Sequence, residues 1–350
     1  MTNDHITHYD PSGMRALIFD FPRQVEEAVA IGEGSKIKFP ISKIQNIVVS
    51  GLGGSAIGGD LLRSYLADEM KIPIAVSRHY FVPAYVNNRS LVIVSSYSGN
   101  TEETISSYKD ATARRAKILC ITSGGTVKRL ALQKKQSVIQ IPGGLPPRAA
   151  LGYSFFPTLV VLSKLGFIKS KRTEIRETIS LLKKKAMEYG NAESSNNRAL
   201  RIAESLQGRL PVIYASADRF DSVNVRWRGQ LSENAKTLAY GHVFPELDHN
   251  EIVGWEVLKD VMKKIHVIIL RDREDNARVQ LRMNITEEVI RPFANGITEV
   301  HSEGTSLLAR IFSLLYLGDW VSFYLAMLNG IDPTPVQKID FLKNELAKVK

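Results

Sequence analysis

The chain has 350 residues, 44% of them hydrophobic, enough for one large or two medium domains with a substantial core. A net charge of +10 admits a nucleic acid or an anionic small molecule as partner. The basic residues are scattered, however, apart from clusters at 169–172, 183–185 and the C-terminus, so most read as solvated helix faces.

The single cysteine, Cys120, excludes an intramolecular disulfide and a cysteine-based metal site. It lies in the apolar run 118–121 and reads as a small buried core residue. No N-terminal stretch has the basic, apolar and small-residue order of a signal peptide. No apolar run reaches the roughly 18 residues that span a bilayer; the longest candidate, 305–328, is interrupted by Arg310 and Asp319. The expectation is a soluble cytoplasmic protein with neither membrane nor nucleic acid as partner.

Residues 1–40 read as a helical lead-in, with apolar residues at 14–18 and 25–31, Pro22 between them and Pro11 placed to open a helix. Short apolar runs then alternate with helical segments. Strands are expected at 46–50, 72–76, 91–94, 117–121 and 138–141. Helices are expected at 61–67, 101–115 and 127–132, after a glycine-rich turn at 51–59. Two further helices fill 151–190, the first apolar and the second charged. The segment NAESSNN (191–197) is polar and turn-rich and reads as a linker. The alternation resumes with strands at 211–214, 265–270 and 297–300 and helices at 221–231 and 275–291. A long apolar helix covers 306–328, and an amphipathic segment runs from 339 to 350. Strands alternating with helices predict parallel sheets covered on both faces, in two α/β halves over 41–190 and 198–350 joined at 191–197.

Five constellations carry candidate chemistry. The first is GLGGSAIGG (51–59), directly after the first strand. It misses the dinucleotide fingerprint because Ala56 stands where a third glycine belongs, and Ser77 and Arg78 stand where an acidic residue should end the second strand. By itself it reads equally well as a tight strand-to-helix turn. The second is SSYSGNT (95–101), in which hydroxyls, a glycine and backbone N–H groups gather where a strand ends and a helix begins. A capped helix start, with Asn100 or Thr101 as N-cap and Glu102 and Glu103 in the first turn, is its plainer explanation, but three hydroxyls exceed what capping needs. The loop has no lysine, which suits a sugar phosphate better than a nucleoside triphosphate.

The third is Arg148, after Pro146 and Pro147 at the same sheet edge, a planar permanent cation suited to a phosphate or an enediolate. The fourth and fifth are QLSENAK (230–236), with Glu233, and PELDHNE (245–251), with His249. A carboxylate and a histidine are what proton abstraction beside a carbonyl and sugar-ring opening require. Spacing alone does not rank them above Glu246, Asp248, Glu251 and His242. No HExxH, CxxC or similar ligand spacing occurs, so neither a metal nor another cofactor is expected.

At these residues the chain resembles the sugar isomerase (SIS) domain family, and more closely the archaeal-type bifunctional phosphoglucose/phosphomannose isomerases. The resemblance rests on GLGGSAIGGD (51–60), SYSGNTEET (96–104), PPRAALG (146–152), SENAK (232–236), ELDHNEIVGW (246–255) and DPTPVQKIDFLK (332–343). The first two motifs are common to SIS domains; the last four, in this order, are more specific. The resemblance implies two tandem SIS domains of flavodoxin-like α/β architecture and a homodimer with its active site between domains and subunits. It also implies metal-independent interconversion of glucose 6-phosphate and mannose 6-phosphate with fructose 6-phosphate through a cis-enediol.

Carried over by motif, Gly54, Ser55, Ser96, Ser98 and Thr101 would hold the phosphate. Arg148 would stabilise the enediolate, and Glu233 would move the proton between C1 and C2. His249, from the partner subunit, would help to open the ring, as would Lys343. Thr334 lies in the tail motif associated with accepting both C2 epimers. Two rival readings are a sugar-phosphate-sensing regulator that does no chemistry and an isomerase of another sugar phosphate.

Overall fold

The computed structural model describes residues 1–37 and 43–348. The expected junction between the lead-in and the first half, at 40/41, lies outside the described residues.

Among the described residues the apolar runs become nine strands in two sheets. The first sheet contains β1 (Asn46–Ser50), β2 (Ile74–Ser77), β3 (Ser90–Ser95), β4 (Lys117–Thr122) and β5 (Ser137–Gln140), in the order β2-β1-β3-β4-β5. The second contains β6 (Leu210–Ser216), β7 (Tyr240–Phe244), β8 (Ile265–Arg271) and β9 (Gly296–His301), in the order β7-β6-β8-β9. Every pairing is parallel, as the alternation predicts, and the first sheet has the flavodoxin-like order. The second repeats the first four places of that order: β6 stands for β1, β7 for β2, β8 for β3 and β9 for β4.

Both sheets are covered on both faces, so their central strands read as unbroken apolar runs. Period-two alternation sends Ile47 and Val49 of β1 into the central core and Val48 into an outer cluster with Val92, Val94 and Cys120. Burial pushes the Cys120 thiol up to about 12, which makes it the inert core residue expected. The central core is shared. Ile47, Leu91 and Ile93 of the first sheet and Ile213, Ile268 and Leu270 of the second pack into one apolar cluster. Between them runs the helix Leu307–Leu328, which is long and apolar enough to cross a bilayer by length and composition, but 94% of its most apolar window is buried inside the protein. Its two charges are paired: Arg310 Nε donates to Asp272 at 2.8 Å, and Asp319 accepts from Arg226 Nε at 3.1 Å and Nη2 at 3.0 Å. Removing one partner of such a buried pair costs about 3–5 kcal/mol.

Several expectations shift. The glycine-rich run is not a loop: helix Gly53–Leu66 starts inside it, and Gly58 and Gly59 are buried against Ser154 and Val49. Pro11 lies in a turn after helix Asn3–Tyr9 and opens nothing, whereas Pro22 sits in the first turn of helix Phe21–Gly34, where its missing N–H is no loss. The second strand starts at Ile74, two residues later than expected. Strand β7 and helix Arg198–Leu206 have no counterpart in the sequence reading. β7 is a short edge strand whose Tyr240 is exposed and whose Gly241 and His242 break the apolar alternation. The 191–197 segment forms turns, but it does bury something. Asn197 donates to the Tyr189 and Asn191 carbonyls and to the Tyr324 hydroxyl, and its side chain caps helix Arg198–Leu206.

Candidate active site

In the first sheet the chain leaves β1 to one side for β2 and returns on the other as β3. The crevice at their C-terminal ends is where such a sheet binds ligands. Two helices begin there, Gly53–Leu66 after β1 and Glu102–Ala113 after β3, with their positive ends at the crevice. Ser55 Oγ accepts from the Tyr97 N–H at 3.1 Å and ties the two loops together. Ser96 is buried; its Oγ accepts from the Gly99 N–H at 3.1 Å and lies 3.2 Å from Thr101 Oγ1, to which it donates. Ser98 is exposed, and its Oγ accepts from the Asn100 N–H at 3.3 Å. Gly99 has φ +69° and sits against the Gly124 carbonyl, a position only glycine fills without displacement.

Thr101 is the N-cap residue by position, yet its hydroxyl makes no capping bond, so the first-turn N–H groups still face the crevice. The structure therefore brings together Gly54, Ser55, Ser96, Ser98 and Thr101. Glu102 and Glu103 occupy the first turn, as expected of a helix start.

Arg148 lies in the short 3-10 turn Pro147–Ala149, directly against this cradle: a Cβ on Gly54 would stand 2.6 Å from the Pro147 carbonyl. The Arg148 side chain, 3% exposed, reaches into the second half of the chain. Its Nε donates to Asn234 Oδ1 at 2.6 Å, and its Nη2 donates to the Pro333 and Thr334 carbonyls at 2.7 and 2.8 Å. Its Nη1 faces Glu233 Oε2 at 3.5 Å. Its own carbonyl accepts from Arg226 Nη2 at 2.7 Å. Burial pulls the Arg148 pKa down and the Glu233 carboxylate counters it; a guanidinium remains charged under such pressure.

Glu233 is the last residue of helix Asp221–Glu233, and its side chain is 32% exposed. A cavity of about 150 Å³ is lined by Gly53, Gly54, Arg78, Arg148, Gln230 and Glu233, so the glycine turn after β1, the cation and the carboxylate face one space. Beyond Glu233 a groove of about 710 Å³ opens beneath the tail, lined among others by Lys236, Asp332, Val336 and Ile339. Thr334 lies between Pro333 and Pro335; its N–H donates to Asp332 Oδ1 at 2.9 Å, and its buried Oγ1 has no hydrogen-bond partner among the described residues.

His249 and Lys343 are not brought to this space. His249 is exposed on the 3-10 turn Glu246–His249 after β7, and Lys343 is exposed on helix Gln337–Leu346. Neither lines either cavity.

Four residues of the site escaped the sequence reading. Asn234 and Lys236 lie inside SENAK, where only the carboxylate was read. Arg226 and Asp319 buttress Arg148 from residues far apart in the chain. For Asp319 the signal was a charge within an apolar helix, which predicts a partner without naming it; Arg226 lies in a polar helix and gave none.

The second sheet's matching edge is built differently. The loop after β8 carries Asp272, Glu274 and Asp275 where the loop after β3 carries hydroxyls. Asp272 accepts from Arg310 and from the Ser302 hydroxyl, and Asp275 accepts from the Ser216 hydroxyl. That edge is filled from within by these pairings.

Residues 40–142 match the SIS domain family, and residues 195–346 match the bacterial phospho-glucose isomerase C-terminal SIS domain. The chain is 47% identical over 334 residues to a bifunctional phosphoglucose/phosphomannose isomerase of Caldicellulosiruptor bescii, covering 95% of this chain and 98% of that one. It is 34% identical to the protein of the same description from Aquifex aeolicus, covering 93% and 99%. A D-glucosamine-6-phosphate 4-epimerase of Sulfolobus acidocaldarius is 28% identical over 78% of this chain and 83% of its own. Among solved structures, a glucose-6-phosphate isomerase like protein of Thermus thermophilus superposes with a TM-score of 0.64 at 16% identity, covering 98% of each chain. The C-terminal domain of glucosamine-fructose-6-phosphate aminotransferase from Francisella tularensis gives 0.69 at 16% identity, covering 96% of this chain and 100% of that one, which speaks for the fold alone.

Proposed function

The chain belongs to the bifunctional phosphoglucose/phosphomannose isomerases, and from that premise we propose that it interconverts glucose 6-phosphate and mannose 6-phosphate with fructose 6-phosphate by internal proton transfer. The observation that carries the reading is a carboxylate, Glu233, held 3.5 Å from a buried arginine in a cavity whose wall includes Gly53 and Gly54 at the start of the helix after β1.

The chemistry follows from these positions. The substrate phosphate sits on Ser55, Ser96, Ser98 and Thr101, the Gly54 backbone and the two helix N-termini, and anchors the sugar far from the reacting carbons. In the open-chain aldose, Glu233 takes the proton from C2. The released electron pair forms the C1–C2 double bond, and negative charge moves onto O1. Arg148 is the fixed cation for that oxyanion. A proton passes from O2 to O1, Glu233 returns its proton to C1, and the ketose results. C2 is planar in the enediol, so its configuration is lost there. Rotation about C2–C3 presents either face to Glu233 and makes both aldoses reachable. Charge and protons balance on groups of this chain, so the reaction as proposed needs no metal. Coupled assays on glucose, mannose and fructose 6-phosphates after exhaustive chelation test it. Turnover of all three is expected, and loss of turnover on chelation contradicts the metal-free scheme.

His249 and Lys343 are assigned to ring opening by motif. His249 is given to the site of a second copy in a homodimer, as the resemblance implies, and its exposure away from the lining of the cavity within one copy supports that. That predicts complementation. Mixed in equal amounts and reassociated, inactive Glu233→Gln and His249→Ala proteins recover about a quarter of wild-type sites, since half the dimers are hybrids with one intact site each. Acting within its own subunit, His249 would give no recovery.

The proposed domains are a phosphate-binding SIS domain over 41–190 and a second over 198–350, with 191–197 between them. The shared core and the buried Asn197 support a locked junction. A sensor without chemistry gives no reason to hold Glu233 against Arg148.

A further inference from the structure

We propose that Arg78 is a substrate-contacting residue whose guanidinium donates to the hydroxyl oxygens of the open-chain sugar between the phosphate anchor and C2. The inference rests on the isomerase reading above and adds a group which that reading does not use.

Arg78 directly follows β2, at the C-terminal edge of the first sheet. It lines the cavity of about 150 Å³ that also holds Arg148 and Glu233, and its side chain is 44% exposed, so a ligand in that space can reach it. None of Ser55, Ser96, Ser98 and Thr101 lines this cavity, whereas Gly54 does. With the phosphate on those hydroxyls and C2 at Glu233, the part of the substrate left to border Arg78 is the carbon chain with its hydroxyls.

The other cations of the cavity wall are spent on the protein. Arg226 holds Asp319 through Nε and Nη2, and its Nη2 also donates to the Arg148 carbonyl. Arg148 commits Nε to Asn234, Nη2 to the Pro333 and Thr334 carbonyls, and Nη1 to Glu233. Arg78 uses Nη2 alone, on Asp60 Oδ2, and its Nε and Nη1 make no hydrogen bond among the described residues. Most of a rigid donor fork is therefore open to a ligand.

Asp60 fixes the direction of that fork. It is buried in helix Gly53–Leu66, two turns after the glycines that share the cavity wall, so the carboxylate and the glycine turn belong to one rigid element. A sheet that takes a dinucleotide carries an acidic acceptor near the end of its second strand for the ribose hydroxyls. Here that place carries a donor, which also meets hydroxyl oxygens and, unlike a carboxylate, does not repel a phosphorylated ligand.

Charge balance alone explains less. Burial pushes the Asp60 pKa up and Arg78 counters it, with Arg63 helping from nearby. Neutralising Asp60 would not require the second cation to border the cavity that holds Glu233.

The test uses the full-length protein with Arg78→Gln, and with the pair removed whole as Asp60→Asn together with Arg78→Gln. The double variant leaves no buried carboxylate without its cation, so its Tm stays near wild type and its binding is read on folded protein. Calorimetry reads Kd for sorbitol 6-phosphate, an open-chain sugar phosphate without a carbonyl, and for inorganic phosphate. A coupled assay reads kcat and KM on fructose 6-phosphate. In both variants the sorbitol 6-phosphate Kd and the KM are expected to rise about tenfold or more, as the loss of a charge-assisted hydrogen bond implies. Inorganic phosphate should stay within about twofold and kcat within about threefold, because the phosphate anchor is untouched and the contact is alike in ground and transition states. A sorbitol 6-phosphate Kd within about twofold of wild type in both variants overturns the proposal. So does an equal weakening of inorganic phosphate, which would put the guanidinium on the phosphate. A wild-type protein that binds sorbitol 6-phosphate but leaves fructose 6-phosphate unchanged overturns the isomerase reading and not the contact.

Discussion

Glu233→Gln is expected to lower kcat by about 10²- to 10⁴-fold on both aldoses, the range over which a positioned general base contributes. The fold should not notice. The Glu233 side chain is about a third exposed, and its pairing with Arg148 is long, at 3.5 Å. A half-solvated pair of that kind contributes under about 1 kcal/mol. Glutamine keeps the shape and can still meet the guanidinium, so fructose 6-phosphate should bind with little change while turnover disappears. Near-normal turnover would remove Glu233 from the role of proton carrier. The rivals at 246, 248 and 251 would then return, although all three lie on the turns after β7, outside the cavity.

Arg148→Lys is the second large effect, and it reaches both catalysis and stability. Lysine keeps the charge but not the planar fork. The Arg148 guanidinium satisfies Asn234 Oδ1 and the Pro333 and Thr334 carbonyls in separate directions while presenting Nη1 to Glu233. A single ammonium cannot meet all of these, and each buried acceptor left unpaired costs about 1–3 kcal/mol. Loss of a fixed donor at the developing oxyanion adds a fall of about 10²- to 10³-fold in kcat. The tail should loosen as well, because helix Gln337–Leu346 buries none of its residues and the segment before it is tied down by Arg148 and Lys236. Faster proteolytic cleavage near 331–336, with a lowered Tm, is the expected signature. An Arg148→Lys protein with unchanged melting, cleavage and kcat would mean that the clasp carries neither load.

Much of this was legible before the structure. β1, β3 and β4 are buried on both faces and show as plain apolar runs, so the parallel sheet followed directly. SSYSGNT was legible as a strand end, hydroxyls and a helix start meeting at one edge because these are contiguous in sequence. β7 was missed for a physical reason: an edge strand with an exposed Tyr240 and a glycine has no periodicity to detect. The glycine-rich run was misread as a turn because glycine's usual preference was allowed to outweigh packing, whereas Gly58 and Gly59 are there to let their helix approach Ser154 and Val49. Arg148 could be placed at the right edge, but its partners could not. Asn234 is 86 residues away and Thr334 is 186, and no local rule links them. Glu233 could be separated from its rivals only by resemblance, and the structure adds the reason, its place beside Arg148. His249 and Lys343 still rest on motif alone.

The most direct test follows the C2 proton. Fructose 6-phosphate incubated with the wild-type protein in deuterium oxide and followed by NMR is predicted to yield both glucose 6-phosphate and mannose 6-phosphate, with solvent deuterium at C2 in part of each. The Glu233→Gln protein is predicted to yield neither. Fructose 6-phosphate left unchanged by the wild-type protein, or the same labelled aldoses formed at wild-type rate by Glu233→Gln, would contradict the account.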